Sequence, residues 1–268
     1  MTANRTVAPA EWNAASYHIL SNPHVDWGER VLARLPLRGD ETVLDAGCGT
    51  GRLTARLLER LPNGKVFGFD RSANMLAEAE ANLRPRFGDR VTFLQGDLLD
   101  LDLPEPVDAI FSTATFHWVL DHDALFARLF AALKPGGMLV AQCGGGANIA
   151  GVLDRTRELA AAVVWGEPLR GWAGPWEFAD DTTAAKRMRA AGFVDVATSL
   201  EEAPTILDDA TTYREFVRDV VLRAHLDRLA DDAARDALLD ALTERAASDD
   251  PPFFLDYWRL NLAGRRPA

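Results

Sequence analysis

The feature that most constrains the fold is an alternation of short apolar segments with helical patterns between residues 41 and 143. Such an alternation, with short connections, predicts a parallel β-sheet that is covered by helices on both faces. The sequence therefore predicts an α/β fold. The predicted strands are Thr42–Asp45, Lys65–Phe69, Val91–Leu94, Val107–Phe111 and Met138–Gln142, and Lys134–Gly137 is predicted to be a turn before the last of them.

A glycine-rich turn, Asp45-Ala46-Gly47-Cys48-Gly49-Thr50-Gly51, links the first predicted strand to the first predicted helix. Its glycines lack the Cβ atoms that would keep a ligand away from the backbone. The helix N-terminus that follows offers free N–H groups and a partial positive charge, which suit a diphosphate or an amino-acid carboxylate. The G-x-G-x-G spacing differs from the G-x-G-x-x-G spacing of dinucleotide-binding turns. A turn that serves packing alone is the alternative interpretation.

Two acidic residues, Asp70 and Asp97, end the second and third predicted strands. Ligands of parallel sheets bind beyond the carboxyl ends of the strands. The Asp70 carboxylate can accept hydrogen bonds from both hydroxyls of a ribose, or it can cap the helix that begins near Ser72. Asp97 can accept a hydrogen bond from an adenine amino group, with Leu98 against the ring, or it can form a turn. Together with the glycine-rich turn, the two acids fit an adenine nucleoside.

These motifs, in this order, resemble the class I S-adenosylmethionine-dependent methyltransferases. The matching residues are Val43–Gly51, Gly68–Asp70 with Ser72 and Met75, Gly96 and Asp97, and Leu133–Gly137. The resemblance implies a Rossmann-like, seven-stranded sheet whose last strand is antiparallel, with helical cap insertions and S-adenosylmethionine as the cofactor. It also implies that Asp70 holds the ribose, that Asp97 holds the adenine, and that Gly47, Gly49 and Gly51 border the methionine part. The other predicted cofactor-binding residues are Tyr17, Asp45, Arg71, Met75, Leu98, Ser112 and Thr113.

A narrower resemblance covers nearly the whole chain and points to the trans-aconitate 2-methyltransferase group, which methylates a carboxylate. The residues that carry it are Trp12-Asn13 with Tyr17, Phe116-His117-Trp118-Val119 with Asp121-His122, and Phe253-Phe254-Leu255. We therefore predict a single methyltransferase domain over residues 1–268, with a cofactor-binding core over about 30–143. The helical cap is predicted over about 1–30, 146–180 and 207–248, and the resemblance implies that Tyr17 covers the cofactor like a lid.

The candidate catalytic residue is His117, which follows the fourth predicted strand between two aromatic residues. A carboxylate acceptor is already ionised at pH 7, whereas a phenol or alcohol usually needs a general base, most often a histidine. His117 is therefore either that base or part of an aromatic pocket wall, and Tyr17 is a second catalytic candidate. Arg170 or Arg187 could bind an acceptor carboxylate, although a surface role is the simpler interpretation of each.

The composition limits the classes of molecule that the protein is expected to bind. A net charge of −11 disfavours nucleic acid, because such binding relies on Lys and Arg neutralising phosphates. The chain has two cysteines and no Cys-x-x-Cys pair, so no metal site is predicted. It has neither a signal-peptide pattern nor an apolar run of the roughly 20 residues that a membrane helix needs, which predicts a cytoplasmic enzyme with no membrane partner.

The predicted function is methyl transfer to a small molecule, by O-methylation of a carboxylate or a hydroxyl. A nicotinamide-dependent oxidoreductase is one alternative, because the fold class overlaps. The glycine spacing and the lack of an identifiable Tyr-x-x-x-Lys pair argue against it. A non-catalytic cofactor-binding protein is the other alternative. The sequence leaves the oligomeric state open.

Overall fold

The computed structural model describes residues 22–268, apart from the side chains of residues 22–26, 164 and 165. Its strands are β1 (Thr42–Ala46), β2 (Lys65–Asp70), β3 (Val91–Gln95), β4 (Val107–Thr113), β5 (Leu133–Gly144), β6 (Val194–Glu202), β7 (Thr205–Ile206), β8 (Phe254–Leu255) and β9 (Trp258–Arg265). Seven of them form one sheet in the order β3-β2-β1-β4-β5-β9-β6, and β7 pairs with β8. Strands β1 to β5 are mutually parallel, whereas β9 runs antiparallel to both β5 and β6. The predicted seven-stranded α/β fold is confirmed.

Helices flank the sheet and several begin at a side-chain cap. Within the described residues they are α1 (Asn22–Ala33), α2 (Arg52–Arg60), α3 (Ala73–Phe87), α4 (His122–Ala132), α5 (Ala150–Ala162), α6 (Asp181–Ala190), α7 (Ala210–Phe216), α8 (Arg223–Leu226) and α9 (Asp232–Ala247). Ser72 accepts a hydrogen bond from the Met75 N–H at the start of α3, and Asp121 accepts one from the Ala124 N–H at the start of α4. None of the helices within residues 22–268 has the length and apolar character to cross a membrane.

The core consists of two apolar layers, one on each face of the sheet. The central strand β1 is buried along its whole length, as expected for a parallel strand that is covered on both faces. Leu44, Ile110 and Leu139 pack on the face that α4 covers. Their sequence neighbours on these three strands point to the other face because side chains alternate along a strand, and they pack against α1 and α2.

A third apolar cluster belongs to the segments after β5. It joins residues of α5, α7, α9 and β8 with a π-helical turn at Val217–Val221 that follows α7. Tyr213 and Phe216 are among its fully buried members. Val220 and Val221 from the same π-helical turn also line the large cavity described below. This cluster therefore forms the roof of that cavity.

The segment that we predicted as a turn before the fifth strand, Lys134–Gly137, lies inside β5, so that prediction is wrong. The pairing of β5 with β4 shifts register across it. Gly136 has a φ of 78° and donates a backbone hydrogen bond to the Arg266 carbonyl at 3.0 Å. The glycines therefore form an irregularity in a strand that continues, because the distant end of the chain supplies the hydrogen-bond partners.

Candidate active site

A cavity of about 540 Å³ lies at the carboxyl edge of the parallel strands. Its wall includes residues that follow β1, β2, β3 and β4, the start of β9, and the roof formed by the segments after β5. The volume falls within the usual range for a small-molecule site. The position is the one at which α/β sheets bind their ligands.

The glycine-rich turn forms one part of the wall. Its backbone is held by hydrogen bonds from the Gly47 and Cys48 N–H groups to the Phe69 carbonyl, at 2.7 and 3.1 Å. A Cβ on Gly47 would lie 2.0 Å from the Thr115 Oγ1 atom, whereas a Cβ on Gly49 would meet no atom within 4 Å. Gly47 is therefore required by close packing, and Gly49 leaves its backbone open to the cavity.

Asp70 fixes the geometry of this part of the cavity. One of its carboxylate oxygens accepts the Gly49 N–H at 2.9 Å and the other accepts the Ser72 N–H at 2.9 Å. Burial raises the pKa of the Asp70 carboxyl, and these hydrogen bonds oppose the shift. The side chain thus ties the glycine-rich turn to the start of α3 while it lines the cavity.

Asp97 and Leu98 continue the wall beyond β3. The Asp97 carboxylate accepts the Leu99 N–H at 2.9 Å and begins a short 3-10 turn at Leu98–Asp100. Leu98 is buried and presents an apolar surface beside this carboxylate. The turn-forming role and a contact with a ligand are therefore compatible for Asp97, since only one of its oxygens is used by the turn.

The opposite part of the cavity is aromatic. His117 lies between the rings of Trp118 and Phe178, with centroids at 5.4 and 5.8 Å. Phe178 in turn stacks on Trp176 at 5.5 Å. The Gly144 N–H donates to the His117 Nδ1 atom at 3.2 Å, so the proton of the neutral ring lies on Nε2. His117 is thereby a hydrogen-bond donor at Nε2.

Arg259, in β9, is a cavity residue that the sequence analysis missed. Its side chain is only 4% exposed. The guanidinium carbon lies 4.6 Å from the centroid of the Trp27 ring and 5.9 Å from that of Tyr257. The one available signal was a charged residue in a strand pattern, Trp258–Leu262, whose other residues are apolar except for Asn261. Its position at the cavity depends on β9 lying between β5 and β6, which no local pattern reveals.

Comparison with known proteins gives matches over most of the chain. A family model described as a methyltransferase domain matches residues 43–137. The trans-aconitate 2-methyltransferase of Azoarcus sp. (strain BH72) is 33% identical over 86% of this chain and 90% of its own. That of Methylobacterium nodulans is 32% identical over 96% and 99%. The solved Haemonchus contortus phosphoethanolamine N-methyltransferase 2, in complex with S-adenosyl-L-methionine, shares the fold with a TM-score of 0.61 at 20% identity, over 95% of this chain and 57% of its own.

The chain belongs to the class I S-adenosylmethionine-dependent methyltransferase family. Within the family it resembles the trans-aconitate 2-methyltransferases. S-adenosylmethionine is therefore the cofactor of this methyltransferase, and the comparisons do not favour an oxidoreductase or a non-catalytic protein. The residues present fit that cofactor, because the open backbone at Gly49 adjoins two carboxylates suited to a nucleoside. Across the part of the chain that is described, no cluster of His, Cys, Asp or Glu could hold a metal ion.

The structure brings most of the predicted cofactor-binding residues of the methyltransferase to this cavity. The predicted residues that line it are Gly47, Gly49, Asp70, Arg71, Met75, Asp97, Leu98 and Thr113, together with the catalytic candidate His117. Tyr17 lies outside the described residues.

Three predicted cofactor-binding residues lie behind the wall. Asp45 is buried and accepts the Thr54 hydroxyl at 2.6 Å, and burial raises the pKa of its carboxyl to about 7. The Ser112 hydroxyl donates to the Ala46 carbonyl at 2.6 Å. A Cβ on Gly51 would lie 2.7 Å from a Leu83 side-chain atom, so this glycine allows α3 to approach the turn. Their observed contacts hold the turn in shape.

The two arginines that we considered for an acceptor carboxylate are engaged elsewhere. Arg187 donates to the Glu177 carboxylate at 2.7 Å, and Arg170 donates to the Val163 carbonyl at 2.8 Å. Neither residue is part of the cavity wall. The Glu177 N–H also donates to the His117 carbonyl at 2.9 Å, so the Arg187–Glu177 pair helps to hold the aromatic part of the cavity in place.

Proposed function

We propose that this methyltransferase transfers a methyl group to a carboxylate oxygen of a small organic acid. The observation that carries the proposal is that a single cavity combines a nucleoside-suited end, with Asp70 and Gly49, and a second end with His117 and the buried Arg259. The curated relatives are named for methylation of a carboxylic acid, which supports the same acceptor class.

The nucleoside-suited end would hold the cofactor. The Asp70 oxygens each accept one backbone N–H and keep further lone pairs for the hydroxyls of a ribose. Asp97 would accept the adenine amino group, and Leu98 and Met75 would contact the base. Gly47 and Gly49 would border the methionine part, and Arg71 and Thr113 would complete the contacts. Asp45, Gly51 and Ser112 would act by shaping the turn, and Tyr17 remains a predicted lid residue.

When bound, the cofactor supplies a methyl group activated by a positively charged sulfonium. The chain's own residues then have to place the acceptor oxygen in line with that group and exclude water, which accounts for much of the acceleration in such transfers. A carboxylate needs no deprotonation. His117 carries its neutral-ring proton on Nε2, so it would orient the acceptor as a hydrogen-bond donor rather than take a proton from it.

A transfer assay tests this proposal. The protein would be incubated with methyl-labelled cofactor and a panel of matched carboxylic acids, phenols and alcohols. We expect labelled product from acids only, with the label released as methanol under mild alkali, because a methyl ester hydrolyses and a methyl ether does not. Alkali-stable product from phenols or alcohols would contradict the proposal.

A His117→Ala variant separates the two acceptor classes. If the histidine orients a carboxylate, the loss of one hydrogen bond lowers transfer to the acid by about tenfold, on the order of 1.4 kcal/mol. If it is a general base for a hydroxyl, transfer to a phenol should fall by a factor on the order of 100 or more. Equal losses on both classes would mean that the ring only shapes the cavity.

A further inference from the structure

We propose that Arg259 is the residue that binds the acceptor's carboxylate and so selects anionic acceptors. The inference rests on the proposed function, since it assigns the acceptor half of the same cavity. It concerns a residue in β9, far along the chain from the motifs that identify the cofactor.

The sheet places Arg259 beside His117 and away from the two acids. Gly144 is the cross-strand partner of Arg259, and the same Gly144 donates its N–H to His117. Strand β9 is four places from β2, which bears Asp70, and at about 4.8 Å per strand this is roughly 19 Å along the sheet. A nucleoside held at Asp70 and Asp97 therefore leaves the Arg259 end for the acceptor.

The surroundings of Arg259 suit a carboxylate. The Trp27 and Tyr257 rings pack around the guanidinium and against each other, with their centroids 5.6 Å apart. Such packing fixes the plane of the guanidinium, whose N–H groups lie in that plane and can grip a carboxylate with two parallel hydrogen bonds. The side chain is almost wholly buried, so a charge–charge contact made there is screened less than one at the surface.

The other arginine at the cavity lies at the opposite end. Arg71, the other arginine among the described lining residues, directly follows Asp70 at the nucleoside-suited end. Arg259 is thus the cation that a bound acid would meet at the aromatic end.

Two substitutions test the assignment. Arg259→Met keeps much of the apolar stem and removes the charge, and Arg259→Lys keeps the charge but loses the planar fork. Arg265→Met is the matched control, because Arg265 is the exposed last residue of the same strand. The acceptor acid is the most active acid of the transfer panel, and its dissociation constant would be measured by calorimetry on the protein loaded with S-adenosylhomocysteine. If no acid is active, citrate and succinate are titrated instead.

We expect Arg259→Met to weaken acid binding at least 30-fold and to raise KM more than it lowers kcat, with Arg259→Lys intermediate and the control unchanged. The affinity of each variant for S-adenosylhomocysteine should stay within twofold of that of the parent protein. Its melting temperature should stay within a few degrees.

Unchanged acid affinity in both Arg259 variants would overturn the proposal. A fall in S-adenosylhomocysteine affinity equal to the fall in acid affinity would also overturn it, and would assign Arg259 to the cofactor's own carboxylate. Should no carboxylic acid accept a methyl group, the proposed function fails, whereas calorimetry with citrate and succinate still decides whether Arg259 binds carboxylates.

Discussion

The two ends of the cavity are built in different ways. The nucleoside-suited end consists of turns that directly follow strands, and its key side chain, Asp70, is held by backbone N–H groups from two neighbouring turns. The acceptor end combines residues that are distant in the sequence: Gly144 contacts His117, which is 27 residues away, and pairs with Arg259. Trp27 packs on Tyr257, more than 200 positions further along the chain. The first end is defined by backbone geometry and the second by side chains from distant parts of the chain. This difference predicts that single side-chain substitutions at the acceptor end change which acceptors bind, whereas the cofactor site keeps its shape.

The largest expected effect tests the backbone-defined end. Gly47→Ala places a Cβ 2.0 Å from the Thr115 hydroxyl at a φ of 83°, and should lower the free energy of unfolding by roughly 3 kcal/mol or more. Gly49→Ala also has a positive φ but meets no atom within 4 Å, so it should cost only about 1–2 kcal/mol. Denaturant titration measures both. Equal costs would show that Thr115 yields and that the turn is not rigid.

The next largest effect concerns cofactor binding at the nucleoside-suited end. Asp70→Ala removes two hydrogen bonds that shape the turn and a carboxylate from the cavity, and should weaken S-adenosylhomocysteine binding by about 1.5–3 kcal/mol in calorimetry. Asp102→Ala, at an exposed position beyond β3, is the control and should have no effect. Unchanged affinity in the Asp70 variant would refute the ribose role.

The pH dependence of stability tests the state of Asp45, which is buried behind the glycine-rich turn. The pKa of Asp45 is about 7 in the folded protein because the carboxyl is buried, against 3.8 for the free side chain. The folded state therefore holds the proton more tightly, and stability from this group is lost as the pH rises from about 4 through 7. Asp45→Asn cannot ionise and can still accept the Thr54 hydroxyl.

The variant should therefore gain on the order of 2 kcal/mol relative to the parent protein between pH 5 and pH 8. Chemical denaturation across that range measures the gain. Parallel stability profiles for the two proteins would contradict the buried, protonated state of Asp45.

The smallest expected effect concerns the acceptor end. Trp27→Leu removes one of the rings packed on Arg259 and should weaken acid binding by about 1 kcal/mol, roughly fivefold. Binding of S-adenosylhomocysteine should not change. Trp172→Leu is the matched control, because its ring packs on Arg228 at 4.5 Å and lies outside the cavity wall. If the two variants weakened acid binding equally, the packing on Arg259 would have no specific role.

The same contrast explains how much the sequence could predict. The glycine-rich turn, Asp70 and Asp97 follow buried strands, and residues at the carboxyl ends of parallel strands gather at one edge without any knowledge of distant pairing. The segment Lys134–Gly137 was misjudged because its strand partners come from the end of the chain. Arg259 was missed for a related reason, since β9 enters the sheet between β5 and β6.

His117 shows an intermediate case. Its place after the fourth strand was predictable, and the structure does bring it to the cavity. Its hydrogen bond from the Gly144 N–H, which fixes the tautomer and argues against a base, depends on a contact 27 residues away. Sequence reasoning could therefore name the residue but could not choose between its two chemical roles.

A crystal structure of the protein with S-adenosylhomocysteine and a bound acid acceptor would test most directly which end of the cavity binds the cofactor and which end binds the acceptor. We expect the ribose at Asp70, the adenine at Asp97, and a carboxylate of the acid in contact with Arg259 beside His117. The reverse arrangement, with the amino-acid carboxylate of the nucleoside on Arg259 and the acid elsewhere, would contradict the account.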